Sequence, residues 1–258
     1  MLLRRITGYL KDQNWFAVWL DVAIVFLGVF IGLQANNWNE ARVARGTANT
    51  YYARLAEDMS AELTMRLARI EYLERTKSHG EAALNALERE DGALGAQFLI
   101  DIYQTTQVWY FTINRNTYDE LLAGRISTII PDSDLRARLA NFYVGSETGA
   151  TLQAETTPLR NNLRRHMPHS IQSTIREHCG DQITYLGNYV QQLSLPDVCE
   201  IEFDTQDVAG ALDELRKYTS LKQDLRRHLA DLEAKLHSLR ASLDPLQETT
   251  VYLQGLLE

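Results

Sequence analysis

Residues 15–33 read WFAVWLDVAIVFLGVFIGL, nineteen positions of which eighteen are non-polar and one is acidic. A helix needs about 20 apolar residues to cross the roughly 30 Å hydrocarbon core of a bilayer. Trp15 and Trp19 stand at one end of the stretch and Trp38 at the other, and tryptophan prefers the headgroup level. We therefore predict a transmembrane helix over residues 15–37, with the lipid bilayer as a partner of the protein.

A cleaved signal peptide is the alternative interpretation of this stretch. The apolar region of a signal peptide is about 7–15 residues long and ends in a small-x-small cleavage site. Here the apolar stretch is longer, contains Asp21 and continues into the bulky sequence Asn-Asn-Trp-Asn. These features favour an uncleaved anchor.

The orientation follows less directly, because the basic residues are balanced across the membrane segment. Long domains are translocated largely regardless of their charge, so we predict that the part after the segment lies outside. Residues 1–14 would form a cytoplasmic tail, either an amphipathic helix on the membrane surface or a frayed end. Residues 38–258 would form a helical external domain, in the periplasm of a bacterium and anchored in its inner membrane. The balanced residues are Arg4, Arg5 and Lys11 before the segment and Arg42, Arg45 and Arg54 after it.

One face of the membrane helix carries small and polar residues, which favours contact with another helix. Gly28 and Gly32 form a small-xxx-small pair that lets helix backbones approach closely, and Asp21 is costly to expose to lipid. The alternatives are that the glycines are incidental and that Asp21 reaches the near interface. The predicted association face comprises Asp21, Val25, Gly28, Gly32, Ala35 and Asn39, and the polar exit from the membrane comprises Gln34, Asn36, Asn37, Trp38 and Glu40.

Helical periodicity continues beyond the membrane segment. Residues 47–79 contain neither glycine nor proline, and their apolar residues are spaced three or four positions apart. We predict one long amphipathic helix there, continuous with the membrane helix and ending before Gly80 or near Arg89. Its predicted buried stripe consists of Tyr52, Leu55, Met59, Leu63, Leu67, Ile70 and Leu73.

The middle of the chain predicts shorter helices. We expect them over residues 94–111, 134–142 and 147–165. Gly124 fits a helix C-cap, and Asp132 or Ser133 fits an N-cap. Residues 126–130 are expected to form a short extended link.

The last part of the chain combines an irregular excursion with a leucine repeat. Residues 180–206 contain glycine, proline and a β-leaning segment from Cys199 to Phe203, so little helix is expected there. Residues 207–244 predict a heptad-striped helix that packs in an antiparallel bundle within the chain or, as the less favoured alternative, in a multimeric coiled coil. The overall prediction is an all-α fold. The striped residues are Leu225, Leu229, Leu232, Leu236, Leu239 and Leu243.

The cysteine and histidine residues are the candidate sites of redox or metal chemistry. Cys179 and Cys199 flank the excursion, and in an oxidising compartment they can form a disulfide; free thiols in the cytoplasm are the alternative. The histidines near Cys179 match no recognised zinc-ligand spacing, so no metal site is predicted. His228 and His237 are expected on the surface. The histidines near Cys179 are His166, His169 and His178.

Composition and motifs give no sign of catalysis. The formal net charge of −8 is unlike the basic face of a nucleic-acid-binding protein, so no nucleic-acid partner is predicted. The sequence has no glycine-rich phosphate loop, no GxSxG motif and no HExxH motif. We predict a non-enzymatic protein with no catalytic residues and no cofactor.

Two stretches resemble a family of uncharacterised bacterial single-pass membrane proteins. They are DVAIVFLGVFIGLQANNWNE at residues 21–40, with its Leu-Gln-x-Asn-Asn-Trp-Asn-Glu exit, and TYDELLAGRISTIIPDSDLRARLANFY at residues 117–143. The resemblance implies a membrane-anchored helical protein, and it supplies neither an activity nor catalytic residues.

The sequence favours two functions, and an enzyme is the third alternative. The first is an assembly or accessory subunit that associates with itself or with a larger membrane complex through the transmembrane face and the long helices. The second is a periplasmic helical-bundle ligand sensor that signals through a partner.

Overall fold

The computed structural model describes residues 15–89, 94–186 and 190–257. The chain divides into two compact units, residues 1–51 and residues 52–258. Apart from one short hairpin, the regular elements in the described ranges are helices, which confirms the predicted all-α fold. The predicted tail of residues 1–14 lies outside the described residues.

The first helix, α1 (Trp15–Glu88), is 74 residues long and contains both the apolar stretch and the amphipathic stretch that follows it. It continues through Gly80 and ends near Arg89, which was one of the two predicted ends. A Cβ atom at Gly80 would lie 2.5 Å from Thr105 Oγ1 and 2.8 Å from Leu229 Cδ2. Only glycine therefore allows the other segments to approach α1 this closely.

The second unit continues with shorter helices and a two-stranded antiparallel sheet. Aspartates cap the starts of two of these helices: the Asp132 carboxylate accepts hydrogen bonds from the backbone N–H groups of Asp134 and Leu135, and the Asp204 carboxylate accepts from that of Gln206. The elements are α2 (Ala96–Gln104), α3 (Asn116–Ala123), α4 (Ile126–Ile129), α5 (Ser133–Ala154), α6 (Pro158–His166), α7 (His169–Cys179), β1 (Gln182–Leu186), β2 (Val190–Ser194), α8 (Thr205–Arg216), α9 (Leu221–Ala241) and α10 (Leu243–Gly255).

The helix predicted over residues 94–111 is shorter in the structure, because α2 ends at Gln104. Trp109 leaves the helical path and packs against Tyr72 of α1, with the ring centroids 5.6 Å apart. Arg160 of α6 donates to the carbonyl oxygen of Thr106, which satisfies a backbone group that a continuing helix would have used. Residues 105–111 are mostly β-branched or aromatic and have low helix propensity, so these tertiary contacts take the chain out of the helix after Gln104. We call residues 105–115 the strap.

Two further predictions about the middle of the chain were wrong. Residues 126–130 were predicted to form an extended link, but they contain the short helix α4. The separate helices expected over residues 134–142 and 147–165 are replaced by α5, which runs without interruption to Ala154, and by α6. The break falls just before Pro158, because a proline disfavours helical backbone in the residue that precedes it.

The irregular excursion holds the only strands among the described residues. Strands β1 and β2 pair antiparallel, with Gln182 opposite Ser194 and Thr184 opposite Gln192. The β-leaning segment from Cys199 to Phe203 forms no strand. Helix is absent between the end of α7 and the start of α8 in the described part of this region, as predicted.

The helix predicted over residues 207–244 is interrupted, so α8 and α9 are separate helices. At the interruption, the Tyr218 hydroxyl and the Ser220 hydroxyl donate to Asp224 Oδ2 at 2.7 Å and 2.8 Å. These side-chain hydrogen bonds stabilise a turn in place of a continuous helix. A second break at Ser242 places Pro245 in the first turn of α10, where its missing N–H costs nothing.

Helices α1 and α9 run antiparallel. Glu74 of α1 pairs with Arg240 of α9, and Lys77, further along α1, pairs with Glu233, which is earlier in α9. The two helices therefore run in opposite directions. Side chains of α2, α6, α7, α8 and α9 form a large cluster of buried apolar residues. It includes Leu99, Tyr103, Leu163, Ile175, Leu215 and Leu225.

Candidate functional site

The predicted association face on the apolar stretch of α1 is open. A Cβ atom added at Gly28 or at Gly32 would meet no heavy atom within 4 Å. The surrounding apolar side chains are exposed as well. By its length and apolar composition, α1 could cross a membrane. All six residues of the face are exposed: Asp21, Val25, Gly28, Gly32, Ala35 and Asn39.

The polar exit residues form local contacts along the helix. Asn36 Nδ2 donates to Glu40 Oε1 at 2.7 Å, one turn further along α1. The Arg42 guanidinium carbon lies 6.0 Å from the centre of the Trp38 ring, within the range of a cation–π contact. These contacts hold the exit residues in place on the helix surface. Gln34 and Asn37 are exposed.

The leucine stripe of α9 packs inside the second unit. Leu232, Leu236 and Leu239 form a cluster with Ile70 and Leu73 of α1, and Leu243 packs against it. Leu225 and Leu229 belong to the larger apolar cluster. The stripe is thus used by the antiparallel bundle within the chain, which was the favoured of the two predicted arrangements.

His228 is buried, so the prediction that it lies on the surface was wrong, whereas His237 is exposed. The His228 ring lies among α9, the strap and the start of α6, and its Nε2 is 2.6 Å from the Thr105 carbonyl oxygen. Burial lowers the pKa of His228, because desolvation disfavours the charged ring. The neutral ring can satisfy both of its nitrogens at this position.

Cys179 and Cys199 form a disulfide that links the end of α7 to the segment after the hairpin. Gln104 Nε2 donates to the carbonyl oxygen of Cys179, which fixes this end of α7 on α2. A Cβ at Gly180 would lie 2.3 Å from the Arg176 carbonyl oxygen, so the chain can leave the helix here only through glycine.

The histidines near this disulfide do not converge. His166 stacks on Tyr218 with the ring centroids 5.3 Å apart, His169 contacts Ser173, and His178 contacts the carbonyl oxygen of Thr174. In the ranges that the structure describes, no group of three or more histidine, cysteine, aspartate or glutamate residues could hold a metal ion.

Three charged residues of α1 form a buried network that the sequence interpretation missed. Arg66 and Arg69 are 5% and 4% exposed, and both donate to the same oxygen, Oε1, of Glu62. Arg66 also donates to Ser146 Oγ and to the Ser242 carbonyl oxygen, each at 3.2 Å. Two cations therefore share one carboxylate in the interior of the second unit.

Aromatic rings complete the surroundings of the two arginines. The Arg69 guanidinium carbon lies 3.8 Å from the centre of the Phe111 ring, and that of Arg66 lies 5.7 Å from the centre of the Phe142 ring. Burial lowers the pKa of the Arg69 guanidinium. Arginine nevertheless stays protonated in proteins, so the positive charge remains.

Both arginines line a cavity of about 340 Å³ between α1, the strap, α5 and the α9–α10 junction. Its buried end holds the guanidiniums, and Arg138 and Glu248 lie among its exposed residues. Polar residues, among them Asn141, Ser238 and Thr249, form part of its remaining wall. Small or apolar residues form much of the rest and include Phe142, Gly145, Gly149, Ala150, Leu239 and Leu246.

A periodic signal for this network was present in the sequence. Residues 55, 59, 62, 66, 69 and 73 alternate steps of four and three, so Glu62, Arg66 and Arg69 fall on one face with Leu55 and Leu73. Charged residues on an apolar stripe indicate buried pairing or a site. The predicted stripe instead passed through Leu67, which is 53% exposed, so that part of the prediction was wrong.

Comparisons with family models, with curated proteins and with solved structures found no match for this chain. The resemblance of residues 21–40 and 117–143 to a family of bacterial membrane proteins therefore stays a prediction.

Proposed function

We propose that this protein is a non-enzymatic, membrane-anchored helical subunit that assembles through the exposed face of its membrane helix. The observation that carries the proposal is the exposure of the apolar stretch of α1 together with the open face at Asp21, Gly28 and Gly32. Apolar side chains in this number are strongly unfavourable in water and favourable in lipid. The membrane thus explains the apolar surface, whereas the aligned acidic and small residues call for a protein neighbour.

The neighbour that the face fits best is a second copy of the same helix. Glycines four residues apart allow two helices to pack with their backbones close together, and the same surface then serves both partners. Asp21 on that surface gains a polar environment that lipid cannot provide. A helix of a larger membrane complex is the other occupant that this chemistry would accept.

The proposed location is the bacterial inner membrane, with residues 1–14 in the cytoplasm and the second unit in the periplasm. The disulfide between Cys179 and Cys199 supports this orientation, because disulfides persist in the periplasm and are rare in the cytosol. The leucine stripe of α9 is packed against α1, so it is not free to form a multimeric coiled coil. The proposal therefore places association on the membrane helix.

The test is to purify the full chain from native membranes in a mild detergent and to measure the intact mass and subunit content of the complex. A homo-oligomer supports association through a second copy. A stoichiometric foreign protein supports the accessory role and identifies the process by its own activity. A monomer at every detergent concentration overturns the proposed assembly.

A ligand sensor is the second candidate, and one observation favours it. The cavity beside Arg66 and Arg69 has a volume within the range of small-molecule sites, about 300–1,000 Å³. A sensor of this kind would report occupancy of the external unit to a partner protein.

A further inference from the structure

The charges around the cavity at Arg66 and Arg69 do not balance. In the described part of the chain, the ion pairs of these two residues both end on Glu62. Arg138 is the third lining cation and faces Glu248, with 3.9 Å between Nη1 and Oε2. Three cations and two carboxylates thus leave one positive charge without a counterpart at the cavity.

Arg69 also has a hydrogen-bond donor to spare. Its Nε–H is buried and has no hydrogen-bond partner in the structure. Buried donors of this kind are rare in folded proteins, because leaving one unsatisfied is costly. Arg69 lines this cavity and two neighbouring ones, so an anionic group bound in this cavity would lie close to the unmatched charge.

Part of the remaining wall is suited to an apolar group. Phe142, Ala150 and Pro245 supply apolar surface, Gly145 and Gly149 leave room along α5, and Asn141, Ser238 and Thr249 add polar groups. A Cβ atom at Gly145 or Gly149 would meet no heavy atom within 4 Å, which shows that the space beside them is open. The cavity therefore combines a cationic end with an apolar end.

We propose that this cavity is a binding site for a small molecule with a single carboxylate on an apolar body. The guanidinium fork matches the geometry of a carboxylate, and one negative charge neutralises the one unmatched positive charge. The apolar body packs along the glycine-containing face of α5. This inference does not rest on the assembly through the membrane helix proposed above.

The experiment measures binding of the probe 3-phenylpropionate to the full chain in lipid nanodiscs. Binding is detected by saturation-transfer NMR, with empty nanodiscs as the blank. Two matched probes separate the parts of the ligand: 3-phenyl-1-propanol keeps the apolar body without the charge, and acetate keeps the carboxylate without the body. We expect 3-phenylpropionate to bind at least about tenfold more tightly than either, since both ends of the cavity are then filled. Equal binding of the alcohol overturns the proposal, because the arginines then contribute nothing.

Two variants locate the site. Arg69→Met removes the unmatched charge and leaves the pair between Arg66 and Glu62, so the unit keeps its fold while affinity falls about tenfold or more. Gly149→Leu fills the cavity from α5 and is expected to abolish binding. Gly210→Leu is the matched control, because Gly210 also lies in a helix with no heavy atom within 4 Å of its Cβ position, remote from the cavity lining.

The outcomes are distinct. Loss of binding in Arg69→Met and Gly149→Leu, with binding kept in Gly210→Leu, supports the site. Binding that persists in both cavity variants places the probe elsewhere and overturns the proposal, as does the absence of any binding to the native protein at millimolar concentration. The oligomer mass, measured on the same samples, reports on the assembly independently of the ligand.

Discussion

The imidazole of His228 donates from Nε2 to the carbonyl oxygen of Thr105, with 2.6 Å between the two atoms. A carbonyl oxygen can only accept, so the proton must be on Nε2. The other nitrogen, Nδ1, lies 2.8 Å from Thr157 Oγ1 and accepts from that hydroxyl. The neutral ring thus connects α9 to the strap and to the residue before α6.

The first prediction concerns pH. Burial lowers the pKa of His228, so in acid the unfolded chain binds a proton that the folded unit does not accept. The stability contributed by the neutral ring is fully present above the unfolded pKa, near 6.5, and is lost as the pH falls towards the folded pKa. We expect the melting temperature of the second unit, measured by circular dichroism, to decrease as the pH is lowered from 7.5 to 5.5.

The control for this prediction is His228→Gln, whose amide can donate to Thr105 and carries no titrating group. Its melting temperature should change less than that of the native protein over the same pH range. Because Asp58 and Asp181 have a raised pKa and oppose the effect, only the difference between the two proteins isolates His228. Parallel pH profiles would show that His228 does not titrate as proposed.

The burial pattern of α1 could be predicted from the sequence only in part. Leu55 and Met59 lie on the buried face as expected, because apolar residues at helical spacing avoid water. The face then continues through Glu62, Arg66 and Arg69 and leaves Leu67 exposed. A lone charged residue is normally assigned to solvent, so this stretch could be interpreted correctly only by treating the three charges as one paired group.

Other features depend on contacts between distant segments. Residues 105–111 fall within the helix predicted over residues 94–111, although β-branched and aromatic residues of low helix propensity dominate them. In the structure Trp109 packs on Tyr72, and the Thr106 carbonyl oxygen accepts from Arg160. His228 is buried for the same kind of reason, since its partners lie 71 and 123 positions away. Periodicity reports which faces are apolar, and it does not report which segment covers them.

The second prediction tests the corrected stripe of α1 and α9. Leu232 is 2% exposed and packs against Ile70 and Leu73, so Leu232→Ala should destabilise the unit by about 2–5 kcal/mol. Leu67→Ala removes the same atoms from an exposed position and should change the stability by less than about 0.5 kcal/mol. Thermal unfolding of both variants provides the measurement. Equal losses would mean that Leu67 is buried against another molecule.

The third prediction concerns the disulfide that closes the excursion. Replacing Cys179 and Cys199 together by serine removes a cross-link between residues that are 20 positions apart. By the chain-entropy model, this should lower the free energy of unfolding by about 3 kcal/mol. A second measurement reports the compartment: in denatured cell extracts, a maleimide polymer should label the protein only after reduction. Labelling without reductant would contradict both the disulfide and the proposed periplasmic location.

The fourth prediction concerns the membrane helix. Gly28→Leu places a bulky side chain on the proposed association face and should lower the oligomer mass, because two backbones can no longer approach closely. Ala23→Leu is the control, since position 23 lies on the opposite side of the helix at 100° per residue. An oligomer that survives Gly28→Leu, or that is lost equally in Ala23→Leu, would count against the face.

The last prediction separates the two roles of the buried charges. Glu62→Gln leaves Arg66 and Arg69 without an anionic partner in the interior and should cost about 3–5 kcal/mol. Arg69→Met should be close to neutral, because it removes a guanidinium whose Nε–H has no partner and leaves one cation for one carboxylate. Both values are obtained from thermal unfolding of the full chain in nanodiscs without ligand.

The contrast between these variants bears on why the charge is present. If Arg69→Met is neutral or stabilising, the second arginine is not needed for folding, and its retention is explained by what it binds. A loss as large as that of Glu62→Gln would instead make Arg69 a structural partner of Glu62 and of the Phe111 ring, which it contacts at 3.8 Å. The unmatched charge would then belong to the packing of the strap, and the cavity would lose its main argument for an anionic ligand.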